Sequence, residues 1–466
     1  MQDFWDFSVW GGINLIAVLV LSLLTANLLK RSIKFLKVSL IPTSVLGGLI
    51  LLIISTVYTA ITDQNIFNTN FFGGNGINSL EIITYHALAL GFIAQSLKPS
   101  NKKLTKKRTV EIFNTGVTTV STYLLQAVLG LGITIVASLI VSGFFSAAGV
   151  LLPFGYGQGT GQALNYGNIY ESDYGFIGGK SFGLTIAALG FLSASLGGVI
   201  HLNFLKKKGK IVILDKGQTK YTGEIEADDE IPMNGSIDKL TVQIGFIVCS
   251  YAITFLTMYG LGLLLPNMKA TIYGFNFLFG VLIATCVKAI ANALNKRKVV
   301  KRRYLNSFLL TRASNVCFDI MVVAGIAAIQ LNLIKDYWAI LIILGLVGLL
   351  STYAYNLFIA RKLFPEYAEQ QFLAMYGMLT GTASTGIMLL REVDGEFKSP
   401  VADNLVYQNF PAIAFGFPLM LLATLAPKQP LLTLGILALF FVVMNVILFR
   451  AFIFKRKNKI KATSNE

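Results

Sequence analysis

The chain has 466 residues, 54% of them hydrophobic and only 13% charged, with a mean hydropathy of +0.66 and a net charge of +16. This apolar excess lies outside the range of water-soluble domains, so lipid is the main solvent of the chain. Nucleic acid is excluded as the partner of the positive charge, because its recognition needs basic residues gathered on one folded face, whereas here they sit in short clusters between apolar runs.

A helix needs about 20 apolar residues to cross a bilayer, and eleven stretches qualify: 11–29, 40–61, 80–97, 115–143, 182–202, 240–265, 272–294, 309–331, 336–360, 409–427 and 430–454. Before the first, Asp3 and Asp6 stand without a basic residue, and no small-residue cleavage pattern follows, so this stretch is expected to stay as a span. Basic clusters follow spans one (Lys30, Arg31, Lys34, Lys37), three (Lys98 to Arg108), five (Lys206 to Lys210), seven (Lys296 to Arg303) and nine (Arg361, Lys362), and Lys455 to Lys461 close the chain. The positive-inside rule makes these loops cytoplasmic, which puts the amino terminus outside and the carboxyl terminus inside a cytoplasmic (inner) membrane. Cys249, Cys286 and Cys317 fall within spans without C-x-x-C spacing and read as packing residues.

Two segments, 144–181 and 370–408, must make no net crossing if this parity is to hold. Each is expected to be a re-entrant hairpin. The first contains Gly155-Tyr-Gly-Gln-Gly-Thr-Gly161 and the second Leu379-Thr-Gly-Thr-Ala-Ser-Thr-Gly386. Glycine removes the steric barrier to tight turns, and exposed amides, carbonyls and hydroxyls at membrane depth can hold a carboxylate or a desolvated cation. Tyr166, Tyr170 and Tyr174 read as part of an aromatic interface belt.

Residues 88–97 and 322–331 align without gaps, sharing Gly91 with Gly325 and Leu97 with Leu331. In each half the repeated helix precedes one helix, a hairpin and a further helix. Five spans per half is an odd number, so the halves are expected to be inverted. The fold class is therefore all-α and polytopic: a first repeat over 1–202, a cytoplasmic linker over 203–239, a second inverted repeat over 240–427, and an extra transmembrane helix with a basic tail over 428–466.

On Ile41-Pro42 with Val45-Leu46-Gly47-Gly48, Gly157-Gln-Gly-Thr-Gly161, Ser195-Leu196-Gly197-Gly198, and Gly381 through Thr385, the chain resembles the glutamate:sodium symporter family over roughly residues 11–427. It departs from that family at Gln158, where histidine is common, and at Ser384, where proline is common. The resemblance implies sodium-coupled import of glutamate or a related small anionic solute, carried out by a homodimer, with no cofactor and no metal beyond transported sodium. Expected substrate-binding residues are Gly157, Gln158, Gly159, Thr160, Gly161, Thr380, Gly381, Thr382, Ser384, Thr385, Arg391 and Asn404. Asp319, Thr160 and Thr382 are expected to hold the coupling ion.

From the residues themselves, Asp319 reads either as a cation ligand or as an ion-pair partner of Arg312, and Arg391 either as a carboxylate clamp or as a salt bridge with Glu392 and Asp394. His86 reads as a packing residue or a proton relay. Asn404 reads as a cavity residue or a helix cap. A proton-coupled carrier or antiporter of another organic anion is the alternative. A potassium-type filter lacks Thr-Val before Gly155-Tyr-Gly157, and no metalloprotease motif or nucleophile elbow points to an enzyme.

Overall fold

The computed structural model describes residues 3–38, 40–99, 105–209, 230–233, 236–266, 269–394 and 398–453. Most of the expected linker (210–229 and 234–235) and the tail from 454 onward lie outside the described residues, as do Lys102 and Lys103. The described residues form helices: α1 Phe7–Ser32, α2 Thr43–Thr62, α3 Gly76–Leu97, α4 Lys106–Ile140, α5 Leu151–Tyr174, α6 Gly179–Lys207, α7 Lys239–Leu264, α8 Asn276–Lys296, α9 Ser307–Ala327, α10 Trp338–Leu363, α11 Ala368–Thr380, α12 Ala383–Arg391, α13 Val401–Tyr407, α14 Asn409–Leu425 and α15 Pro430–Leu448. No named strand occurs among them.

Local sequence sets several helix starts. Thr105 accepts from the Arg108 amide, Asp238 from the Leu240 and Thr241 amides, and Asn306 from the Leu309 amide, each satisfying a donor that the first turn leaves over. Among the described residues ten helices are long and apolar enough to cross a membrane, and their outer faces are apolar, as at Val248, Phe255, Leu256 and Leu263 of α7. Water would not tolerate such a surface, and lipid does. The protein is a multi-pass membrane protein.

The remaining expected span, 409–427, is the 17-residue α14, about 25 Å long at 1.5 Å per residue. It begins where expected, after the turn at Gln408 that separates it from α13, and ends two residues earlier, at Leu425, with Pro418 within it. Two further expectations change. Cys249 and Cys286 are exposed and only Cys317 is half-buried, so the first two lie on outward faces rather than in packing. Tyr166 and Tyr170 are buried, and Tyr166, Tyr170 and Tyr174, one turn apart, donate to the carbonyls of Met420, Ala423 and Thr424 at 3.0, 2.7 and 3.1 Å. They bind α5 to α14, and their burial takes Tyr166 and Tyr170 out of a lipid-facing belt.

Helix α5 is broken at Gly159, where φ is 78° and ψ −170°, a region that essentially only glycine occupies. The chain folds back there. Phe154 and Tyr166 stack with ring centroids 3.9 Å apart, although twelve residues of straight helix would separate them by about 18 Å. The pair α11 and α12 does the same around Gly381, since a Cβ on Gly377 would lie 2.9 Å from the Gly386 Cα. The bases of these two bent segments lie at opposite ends of α10. Phe144, Phe176 and Phe182 surround Tyr337 at its start, and Glu369 lies 3.7 Å from Arg361 near its end.

Close backbone packing holds these pieces. A Cβ on Gly149, at the base of α5, would collide with the Gly130 carbonyl of α4. Gly149→Ala is therefore expected to destabilise the protein by about 1–3 kcal/mol, the usual range for overpacking, and to lower the melting temperature in detergent. Gly435→Ala, with nothing within 4 Å of its new methyl, should leave it unchanged. Equal melting of the two variants would contradict the packing at the base of α5.

Candidate functional site

The tips of the two bent segments meet. A Cβ placed on Gly159 would lie 3.5 Å from the Thr382 methyl and 3.9 Å from the Gly381 carbonyl. Around the first tip, the Gly157 carbonyl accepts from Tyr123 at 3.0 Å and the buried Thr160 hydroxyl donates to the Met321 carbonyl at 3.2 Å. Gly161 lies against Leu88, and Gly325 leaves the room that Thr160 fills. Gln158 is partly exposed beside the break. Around the second tip, Thr380 is buried and donates to Tyr376 at 2.6 Å, while the hydroxyls of Thr382 and Thr385 lie 3.4 Å apart. Ser384 stands in the first turn of α12.

Beside the second tip is a cavity of about 230 Å³. Its wall is made by Thr382, Thr385 and Met388 of α12, Phe318, Asp319 and Val322 of α9, Phe191 of α6, Lys30 at the end of α1, and Pro42, Thr43 and Ser44 at the start of α2. Glycine packing positions them. Gly48 lets α2 lie directly against Ile326 of α9, and this brings Ser44, one turn earlier, beside the Asp319 carboxylate. Gly197 and Gly198 of α6 likewise admit Tyr376 and Leu389 of the second bent segment.

The cavity thus holds one cationic and one anionic side chain between hydroxyls and apolar walls. Lys30 is partly buried and donates to the Ile41 carbonyl at 2.5 Å. Asp319 is accessible and forms no ion pair among the described residues; the Arg312 guanidinium lies 5.1 Å over the Phe308 ring. Asp319, Thr382 and Thr385 of the expected residues come together here. Gly157, Gln158, Gly159, Thr160, Gly161, Thr380 and Gly381 build or adjoin the touching tips, with the Thr160 hydroxyl committed to Met321. Arg391 is exposed at the end of α12, and Asn404 is buried near Tyr367; neither lines the cavity. His86 Nδ1 is 2.6 Å from the Tyr251 hydroxyl, an interhelical bond away from the cavity.

Lys30 and Ser44 escaped the sequence reading. Lys30 belongs to a basic cluster whose topological meaning masks any other, and a serine after Ile41-Pro42 carries no charge to draw notice. Chain order holds the one available signal: Lys30 and Ser44 flank the short connection before the Gly47-Gly48 pair. No protein-family model matches the chain, and no curated protein matches it at a significant level.

In a cysteine-free background, Thr382→Cys and Met388→Cys are expected to react with a small water-soluble thiol reagent at least ten times faster than Thr160→Cys and Thr380→Cys. Equal rates at all four would contradict a water-accessible cavity on the α12 side of the tips.

Proposed function

We propose that this protein is a sodium-coupled secondary transporter that imports glutamate or a related small anionic solute. The observation that carries the reading is the meeting of two bent helical segments, with bases at opposite ends of α10, beside a cavity lined by Lys30, Asp319, Thr382 and Thr385. In this reading both are re-entrant hairpins belonging to two inverted repeats. Non-helical backbone survives at membrane depth only where protein or a watery cavity covers it, and carriers place such breaks at their substrate and ion sites.

The chemistry of the wall fits the solute. A lysine ammonium and threonine hydroxyls suit carboxylates, and a carboxylate suits the ammonium of an amino acid or a coupling cation. A cavity of this volume lies just below the usual range for drug-sized ligands and suits a solute as small as glutamate. Lys30, Pro42 and Ser44 lie on the side of the basic loops, so with those loops cytoplasmic the cavity opens inward. The resemblance to the glutamate:sodium symporters adds a homodimer and an inner-membrane location to the reading.

Coupling is energetically sufficient. Hundredfold accumulation costs about 2.7 kcal/mol at about 1.4 kcal/mol per tenfold, and one net positive charge entering gains about 2.3 kcal/mol per 100 mV. Proton coupling is a second reading, favoured by an accessible Asp319 without an ion pair.

In proteoliposomes, labelled glutamate uptake should rise at least tenfold with an inward sodium gradient, Lys30→Gln should raise KM at least tenfold, and Asp319→Asn should abolish the sodium effect. Uptake driven by a proton gradient and indifferent to sodium would select the second reading. No uptake of glutamate, aspartate or small dicarboxylates under either gradient would overturn both.

A further inference from the structure

The face of the second bent segment turned away from the cavity packs on a polar seam. Along α4, Glu111, Thr115, Thr119, Thr122 and Gln126 form one helical stripe, about 22 Å from first to last at 1.5 Å per residue. Gln126 reaches the tip: its Nε2 donates to the Leu379 carbonyl at 3.0 Å and to Thr352 at 2.8 Å. Asn356 Nδ2 donates to the Thr352 carbonyl at 3.0 Å and to Thr122 at 3.3 Å, and Gln371 Nε2 donates to Thr115 at 3.3 Å.

Those partners fix the amide orientations. The Leu379 and Thr352 carbonyls can only accept, and the Thr115 hydroxyl gives its own proton to the Glu111 carbonyl at 2.8 Å. The oxygens of Gln126, Asn356 and Gln371 are therefore the atoms left over, and none has a hydrogen-bond partner among the described residues. At the inner end Tyr367 and Asn404 are buried together beside Glu111, and the Tyr367 hydroxyl interacts with both the Glu111 carboxylate and the Asn404 side chain. Gln126, Asn356, Gln371 and Asn404 are each at most 1% exposed. A buried acceptor without a donor costs about 1–3 kcal/mol, and a series of them marks an absent water or ion.

We propose that this seam binds and conducts a partly dehydrated sodium ion between the cytoplasmic side and the tip of the second bent segment. The three orphaned amide atoms of Gln126, Asn356 and Gln371 are all oxygens, and oxygen-rich files of this kind replace the hydration shell of a small cation. Glu111, paired to Arg108 at 2.8 Å, stands at the inner mouth, and no lysine or arginine occurs on α4 between Glu111 and Gln126. Burial, followed by the charge of Glu111, holds the Tyr367 phenol well above its ordinary range, so it stays neutral beside Glu111 and Asn404. The first arm, α11, lines the seam and the second arm, α12, lines the cavity, so occupancy of the seam bears on the geometry of the tip.

The inference rests on the carrier reading only in making this a coupling ion additional to the one at Asp319; the binding itself is tested without transport. Labelled sodium binding is measured by equilibrium dialysis on the purified protein at constant ionic strength, with choline as the replacing cation. Asp319→Asn protein, in which the cavity carboxylate is gone, should still bind sodium and melt at a higher temperature in sodium than in choline. Adding Gln126→Leu or Asn356→Leu should weaken that binding at least tenfold, and Gln371→Met serves if either fails to give monodisperse protein. Absence of sodium binding to Asp319→Asn protein, or an affinity unchanged within twofold by the seam substitutions, would overturn the proposal and leave the seam as a site of buried water only. Failed glutamate uptake with sodium binding retained at the seam would instead sink the carrier reading alone.

Discussion

Backbone that leaves helical geometry inside a bilayer must find its hydrogen bonds in protein or in water. The chain concentrates that demand at one place, where Gly159 adjoins Gly381 and Thr382. Much of the surrounding architecture serves it. Tyr123 donates to the Gly157 carbonyl, Gln126 donates to the Leu379 carbonyl, and Thr160 fills the notch left by Gly325. The φ of 78° at Gly159 is tolerable because that residue has no side chain to clash.

The second bent segment separates two environments. On one side lies the cavity with Lys30, Ser44 and Asp319, and on the other the amide and hydroxyl seam along α4. The first bent segment is anchored differently, by three tyrosines one turn apart whose hydroxyls reach carbonyls of α14. A phenol reaches far from its own helix, and such bonds hold two helices in register without a charged pair.

The membrane class and ten of the spans were legible because an apolar run of about 20 residues matches the thickness of a bilayer and is rare in chains that fold in water. The glycine and threonine runs at 155–161 and 379–386 were legible as breaks for a similar reason, since such composition is a poor lipid-facing helix. The α1–α2 side of the cavity was not legible: Lys30 and Ser44 become neighbours of Asp319 only through the packing of Gly48 on Ile326, a contact between residues far apart in sequence. The tyrosines misled because a belt residue and a buried interhelical donor have the same composition and spacing, and only the partner distinguishes them. Asn404 and Arg391 have suitable chemistry and lie near the second break in sequence, but the fold-back of the chain carries them away from the tip.

The central claim is that the cavity between Lys30 and Asp319 is the solute site. Calorimetric titration of L-glutamate into the purified protein tests it directly, in sodium and in choline, before and after a thiol reagent has been attached at Thr382→Cys in a cysteine-free background. The account predicts saturable binding in sodium, at least tenfold weaker binding in choline, and none once the cysteine is modified. Glutamate binding of equal affinity in both salts, or unaffected by modification at residue 382, would contradict it.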